Sequence, residues 1–366
     1  MKNKLNLGLI VLFLSIFCVR AQENRDYNLI WNIDYKFMFD NREFSNNANN
    51  YSFTYFGNIV APELGIQIDS KNTLYAAVDI ERYFGKKTTK DDYNFLAYYE
   101  HVGEHFKADV GFFHRDKYKG TFPSAFFDDS LLFYDNAVEG ALFQYVEKTW
   151  YLELGIDWFG YVYKDSRERF QILSSGRKDL GPFYGEYNFM MYHYAGSEVV
   201  RGVVDNFWFY PRVGIDFTQW WPFQVFDLKL GYLQSLQCNR HESSKYKRPG
   251  GFQAEIDIRK WNFGIDNTLF IGDNMNPFYH SLDKAGAEYG RDLYMGNLFY
   301  GAGNGMYNRL EFYYEPVQKQ WLHFRISSIH HYDGKDWGSE QKATVYIKFG
   351  GDFKGHRRYG DNKKNW

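Results

Sequence analysis

The sequence predicts an all-β protein: a transmembrane antiparallel β-barrel of about 16 strands that follows a cleaved signal peptide. Three observations lead to this class. Apolar and polar residues alternate from near Asp26 to the C-terminus, which places them on opposite faces of strands. Aromatic residues make up 21% of the chain, as expected for a barrel with aromatic girdles. The N-terminus has the pattern of a secretory signal.

Residues 1–21 form the predicted signal peptide. Lys2 and Lys4 give it a basic start, residues 5–19 form its apolar core, and Ala21 ends a small-residue cleavage site. The apolar core is short for a membrane-spanning helix, which needs roughly 20 apolar residues. The rest of the sequence contains no apolar segment of that length, so a mature chain that spans a membrane must do so as a closed barrel.

Residues 22–352 form the predicted barrel, and residues 353–366 form a basic C-terminal tail. The alternation is clearest in residues 26–39, where seven aromatic or aliphatic side chains from Tyr27 to Phe39 occupy every second position. An even number of strands leaves both termini on the periplasmic side. The predicted strands span residues 26–39, 52–68, 73–84, 93–102, 106–114, 139–146, 150–163, 167–175, 183–194, 206–217, 225–236, 250–259, 261–272, 305–315, 321–331 and 341–351.

The connections alternate between short turns and long loops, as in outer-membrane barrels. Four tryptophans come directly after short turns and predict an interfacial girdle at the periplasmic side. They are Trp150, Trp221, Trp261 and Trp321. The longer, external loops are predicted at residues 40–51, 115–138, 237–249, 273–304 and 332–340.

Charge and cysteine content exclude several classes of function. The chain has 43 Lys+Arg and 45 Asp+Glu, so it lacks the basic footprint of a nucleic-acid-binding protein. Cys18 lies in the signal and leaves Cys238 alone in the mature chain, which excludes an internal disulfide and a zinc motif. We expect no cofactor and no metal ion.

The alternating strands, the loop asymmetry and the closing strand Ala343–Phe349 resemble those of Gram-negative outer-membrane β-barrel proteins, especially sixteen-stranded porins. The signal that ends in Ala21-Gln22, with Tyr- and Asn-rich strands, resembles proteins of Bacteroidota. The resemblance implies a place in the bacterial outer membrane, reached through the inner membrane by the signal peptide. It also implies contact with outer-membrane lipid and lipopolysaccharide, with small polar solutes and with the barrel-assembly machinery, and it is compatible with a homo-oligomer.

The polar faces of the strands predict the lining of a pore. The lining residues are Asp79, Glu81, Asp109, Glu153, Asp157, Glu255, Asp257, Arg309, Glu311 and Arg325. Because acids outnumber bases, such a pore would prefer cations. The alternative is that these charges pair across strands and hold the wall together.

The third external loop, residues 115–138, is the predicted constriction of this pore. It carries Phe122 and Phe126 beside Asp128 and Asp129. A loop this aromatic would bury its side chains by folding inward.

The sequence indicates no enzymatic site. The only neighbouring Ser–His pair in the loops, His280-Ser281, is adjacent in the chain and therefore poorly placed for a nucleophile and its base. The sequence has no Gly-x-Ser-x-Gly motif. His330 and His331 point to opposite faces of a strand and so form a weak metal site.

The sequence therefore predicts a passive outer-membrane channel for small polar solutes that is not an enzyme. Three alternatives stay open. The first is a barrel plugged by its loops that serves as a structural, binding or secretion-accessory protein. The others are an outer-membrane hydrolase and a soluble periplasmic β-sandwich.

Overall fold

The computed structural model describes residues 27–44, 50–86, 92–164, 166–218, 222–301 and 303–353. The predicted signal peptide lies outside the described residues, as do Trp221 and nearly all of the C-terminal tail. Within the described residues, no helix is long and apolar enough to cross a membrane.

Sixteen antiparallel strands form one closed barrel, in which each strand pairs with its neighbours in the sequence and β1 pairs with β16. The predicted fold class and strand number are confirmed. The strands are β1 Asn28–Glu43, β2 Phe53–Gln67, β3 Asn72–Tyr83, β4 Asp92–Val102, β5 Phe106–His114, β6 Ala137–Val146, β7 Trp150–Gly160, β8 Arg169–Leu180, β9 Phe183–Tyr194, β10 Val204–Asp216, β11 Val225–Asn239, β12 Gly250–Lys260, β13 Phe263–Gly272, β14 Met306–Lys319, β15 Leu322–Tyr332 and β16 Trp337–Asp352.

The two faces of the wall follow the alternation in the sequence. On β7, Leu152 and Leu154 are about half exposed on the outside, whereas Glu153 is buried on the inside. On β15, Ile326 is exposed outside and Ile329 is fully buried inside. An apolar outer face is what a lipid bilayer requires, and the protein is an outer-membrane β-barrel.

Several strands extend farther at their external ends than predicted. β1 continues to Glu43 and β16 already begins at Trp337, so parts of the predicted loops 40–51 and 332–340 are strands. The inward charges at these ends are buried because they pair with each other: Arg42 lies 2.8 Å from Asp40. When only the sequence is known, charged segments of this kind are taken for loops.

Two external loops fold into the barrel. They connect β5 to β6 and β13 to β14, and we call them the third loop (residues 115–136) and the seventh loop (residues 273–305). Their side chains join those of the wall in one buried apolar cluster. The loop members of this cluster are Tyr118, Ala125, Phe126, Phe127, Met275, Phe278, Tyr289, Leu293, Tyr294, Leu298, Phe299 and Tyr300.

Candidate functional site

The two inward loops meet each other inside the lumen. The backbone N–H of Asp128 donates to the carbonyl of Met295 at 2.9 Å, and that of Asn297 donates to the carbonyl of Ser124 at 2.7 Å. Around them the cluster includes wall residues from β4 through β14, among them Tyr98, Leu173, Trp208, Leu233 and Tyr307. The external half of the lumen thus contains an apolar core that reaches from wall to wall.

Two adjacent aspartates attach the tip of the third loop to the wall. Asp128 accepts two hydrogen bonds from Arg42, at 2.9 and 3.1 Å. Asp129 lies 3.1 Å from the Lys342 ammonium and 3.4 Å from the Arg309 guanidinium. We call these contacts the loop latch.

The latch controls the ionisation of both aspartates. Burial by itself would raise the pKa of Asp128, but the charge of Arg42 and its hydrogen bonds outweigh burial and lower the pKa to about 2. Burial would likewise raise the pKa of Asp129, and the charges of Lys342 and Arg309 hold it well below its usual range. Both carboxylates are therefore ionised at neutral pH.

These shifts predict how the latch responds to pH. A depressed carboxyl pKa contributes stability that is complete above the unfolded value of about 3.9 and is lost as the pH falls through the folded value. We expect the third loop to stay docked from pH 8 to pH 4 and to be released as the pH approaches 2. Pepsin cleavage within residues 115–136, followed between pH 4 and 2, measures this release. Release between pH 7 and 5 would contradict it.

A glycine allows the close contact between the two loops. A Cβ on Gly296 would overlap the carbonyl of Ala125, whereas a Cβ on Gly303, in the same loop, would meet no atom within 4 Å. We expect Gly296→Ala to separate the loops and to lower the thermal unfolding midpoint, because backbone cannot give way as a flexible side chain does. Gly303→Ala is the matched control, with a midpoint close to that of the wild type. Equal midpoints for both variants would show that the loops tolerate separation.

Four of the five predicted pore acids on β3, β5 and β7 contact the third loop or the residue before it. Asp79 lies 2.8 Å from the His114 ring, and Asp109 lies 3.0 Å from the Lys117 ammonium. The two acids of β7 bind the loop in the same way. Asp157 lies 2.7 Å from Arg115.

Glu153 accepts the backbone N–H groups of Lys119 and Gly120, at 2.7 and 2.8 Å. Glu81 stands apart from the loop and accepts a hydrogen bond from Tyr55 at 3.0 Å. Most of these acids thus hold the third loop in place.

The remaining predicted lining residues pair within the wall, and Arg309 also contacts Asp129 of the third loop. Glu255 accepts from Tyr210 and Asp257 from Tyr313, each at 2.8 Å. Glu311 lies between two bases, 2.8 Å from Arg309 and 2.6 Å from Arg325. In the loop, Phe122 packs edge-on against Phe127, and Phe126 is fully buried.

A second polar site lies on the outer, lipid-facing side of the wall. Ser328 and His330 occupy alternate positions of β15, so both point outward, whereas Ser327, Ile329 and His331 point inward and are buried. The Ser328 Oγ lies 3.2 Å from the His330 Nε2. A serine hydroxyl and an imidazole nitrogen at hydrogen-bond distance are the core of a nucleophile–base pair.

The pair belongs to a larger polar area across four adjacent strands. Gln341 of β16 lies directly opposite Ser328, Asn41 of β1 opposite Gln341, and Thr54 of β2 opposite Asn41. Two residues closer to the external ends of the strands, Ser339 of β16 lies opposite His330, and Glu43 of β1 lies opposite Ser339. We call these residues the outer polar patch: Ser328, His330, Ser339, Gln341, Asn41, Glu43 and Thr54.

The patch has apolar neighbours below and beside it. The next row down consists of Ile326, Ala343 and Phe39, and the ring of Phe312 on β14 lies 6.2 Å from that of His330, edge to face. Ser328 lies six residues along β15 from Leu322 at the periplasmic end. At ~3.3 Å per residue and a tilt of roughly 40°, this is roughly 15 Å along the axis of an apolar band about 25 Å tall. This estimate places Ser328 slightly to the external side of the middle of the band.

Sequence reasoning missed this pair, although its signal is present. The Ser–His pair noted in the sequence, His280-Ser281, is adjacent in the chain and lies in a loop. In a strand, however, positions i and i+2 share a face, so the spacing of Ser328 and His330 indicates that the two side chains lie next to each other. The outward direction of His330 and the inward direction of His331 agree with the prediction for that dipeptide.

Solved structures share this architecture. The chain is similar to OpdL of Pseudomonas aeruginosa, at 10% identity and a TM-score of 0.51 over 90% of this chain and 99% of that one. It is also similar to a loop-deletion mutant of OmpT, an outer membrane protein of Vibrio cholerae, at 10% identity and a TM-score of 0.52 over 88% and 99% of the two chains. These likenesses concern the fold. No curated protein matches the sequence.

Family comparison corrects the functional prediction. The sequence model of the family described as "Lipid A 3'-O-deacylase-type" matches residues 21–356. A deacylase is an enzyme, so the prediction that the protein is not an enzyme is wrong. The match covers the whole barrel, and the chain therefore belongs to the lipid A 3'-O-deacylase-type family.

Proposed function

We propose that this protein hydrolyses an ester-linked acyl chain of lipid A in the outer leaflet, at the outer polar patch. The observation that carries the proposal is the 3.2 Å contact between the Ser328 Oγ and the His330 Nε2 on the lipid-facing wall. Membership of the deacylase-type family supports the reaction class. Ser328 is the nucleophile and His330 is the general base.

The reaction follows the usual order of acyl transfer through a serine. His330 takes the proton of Ser328 as the Oγ attacks the ester carbonyl carbon, and the carbonyl oxygen becomes an oxyanion. Collapse of this intermediate breaks the ester C–O bond, and His330 gives its proton to the leaving alkoxide. Water then attacks the acyl-enzyme with His330 again as base, which releases the fatty acid and restores Ser328.

The position of the patch suits a lipid substrate. Ester bonds of a membrane lipid lie at the boundary between headgroup and acyl chains, and the polar row of His330, Ser339 and Glu43 extends the patch from Ser328 toward the external end of the wall. The apolar row of Ile326, Ala343 and Phe39 below it is exposed to the acyl chains. Ser328 is exposed on this same face, so a membrane lipid can approach it from the side of the barrel.

The test measures acyl release by the refolded barrel. Mature protein in vesicles that contain lipid A is incubated, and released fatty acid and deacylated lipid are quantified by mass spectrometry. We expect release of ester-linked chains, none of amide-linked chains, and loss of release in Ser328→Ala. No release from any ester-acylated lipid by well-folded protein, or release that persists in Ser328→Ala, would overturn the proposal.

Passage of small polar solutes through the lumen is the second candidate function. It is favoured by the periplasmic parts of β10 to β15, where charged side chains such as Arg212, Lys229, Glu255 and Arg325 point inward. Passage would require the third and seventh loops to leave the apolar cluster that they form. Conductance in planar bilayers tests this candidate independently of acyl release.

A further inference from the structure

We propose that the side-chain amide of Gln341 stabilises the oxyanion of the reaction and that Asn41 positions it; this inference rests on the proposed function. The proposed reaction needs a hydrogen-bond donor for the carbonyl oxygen, which gains negative charge. Removal of one such donor from a hydrolase typically lowers kcat about 10²- to 10³-fold. Within the outer polar patch, Gln341 is the donor that lies directly across from the nucleophile.

The register of the sheet brings the two residues together. Ser328 and Gln341 are directly opposed in the β15–β16 pair and both point outward. The Cβ atoms of directly opposed residues lie about 4.5–5.5 Å apart. An ester carbonyl bound to the Ser328 Oγ is therefore within reach of the longer glutamine side chain.

A chain of hydrogen bonds fixes the orientation of the Gln341 amide. The Asn41 Nδ2 donates to the Gln341 Oε1 at 2.6 Å, and the Asn41 Oδ1 accepts from the Thr54 hydroxyl at 2.7 Å. Because the two polar atoms of an amide diverge, binding of Oε1 by β1 turns the Nε2 amino group away from Asn41. Nε2 is a donor only, so the fixed amide presents N–H groups to the substrate in place of a repelling oxygen.

The same contacts distinguish the roles of the two amides. Gln341 is a catalytic residue because its Nε2 contacts the reacting oxygen. Asn41 acts through Gln341 and is a positioning residue. Asn267, another outward amide, donates its Nδ2 to the carbonyl of Arg309 at 3.0 Å and lies on β13, away from Ser328; it is the matched control.

The experiment measures kcat, KM and the inhibition constant of an alkyl boronic acid, whose adduct with serine mimics the oxyanion. We expect Gln341→Ala to lower kcat about 10²-fold or more, while KM stays within about threefold of the wild-type value. The inhibition constant of the boronic acid should rise by a factor similar to the loss in kcat. Asn41→Ala should lower kcat about tenfold and raise the inhibition constant of the boronic acid about tenfold. Asn267→Ala should match the wild type, and heat-dependent gel mobility should show that all variants fold.

Two failures are distinguishable. If Ser328→Ala retains activity, the proposed function itself fails. If Ser328→Ala is inactive while Gln341→Ala keeps both kcat and boronic acid affinity, the hydrolase stands and the role of Gln341 is overturned. A loss in Gln341→Ala that appears only in KM would assign the residue to substrate binding and would also overturn the inference.

Discussion

Replacement of Ser328 with alanine is expected to reduce the rate of acyl release at least about 10³-fold, since loss of the nucleophile of a catalytic serine–histidine pair removes the covalent route entirely. The His330 Nε2, 3.2 Å from the serine, would then have no hydroxyl to deprotonate. The barrel itself should be unaffected, because Ser328 is exposed on the outer wall and its removal leaves no buried group without a partner.

The chain offers a matched control for this experiment. Ser174 of β8 is an outward serine whose hydroxyl lies 2.9 Å from that of Tyr187, with no histidine in that contact. We expect Ser174→Ala to release acyl chains at the wild-type rate. A parallel loss of activity in both variants would indicate general damage to the outer wall, and equal activity in both would exclude Ser328 as the nucleophile.

Replacement of Arg42 with alanine is expected to undock the third loop. Arg42 is 3% exposed and lies 2.8 Å from Asp40 and 2.9 Å from Asp128. Removal of one partner from a buried ion pair costs about 3–5 kcal/mol, because it leaves uncompensated charge. This cost corresponds to an increase of about 10²- to 10⁴-fold in the undocked population, which single-channel recording should show as new conductance steps.

An exposed ion pair provides the comparison. Lys86 and Asp92 are 2.8 Å apart at the outer end of β3 and β4, and both side chains are about half exposed. Pairs of this kind contribute at most about 1 kcal/mol, so Lys86→Ala should leave conductance unchanged. Conductance in the wild type equal to that of Arg42→Ala would show that the latch does not close the lumen, and it would strengthen the case for solute passage.

Much of the fold could be predicted because the alternation of strands is local in the sequence. Strand number, antiparallel order and the faces of residues such as Leu152 and Glu153 all follow from period two. The outer ends of β1 and β16 could not be predicted in the same way. Asp40, Arg42 and Glu340 are charged and look like loop residues, and only their pairing across the β1–β16 junction makes burial favourable.

The site was harder to predict than the fold for a similar reason. A single strand shows that Ser328 and His330 share a face, but it does not show that Gln341 and Asn41 lie beside them. Those neighbours depend on the register of β15, β16 and β1, which is a property of the closed sheet. The predicted lumen acids were found in the places that their alternation gives, yet their partners in the third loop depended on how that loop folds.

The hydrogen bond between Asn41 and Gln341 joins two residues that are 300 positions apart, across the junction of the first and last strands. An unfolded chain in transit through the periplasm therefore lacks the complete patch, as does a sheet that has not yet closed. Assembly of the barrel is the step that completes the outer polar patch, and it takes place at the outer membrane, where the proposed lipid substrate is present. The time at which activity appears during refolding would thus report the closure of the barrel.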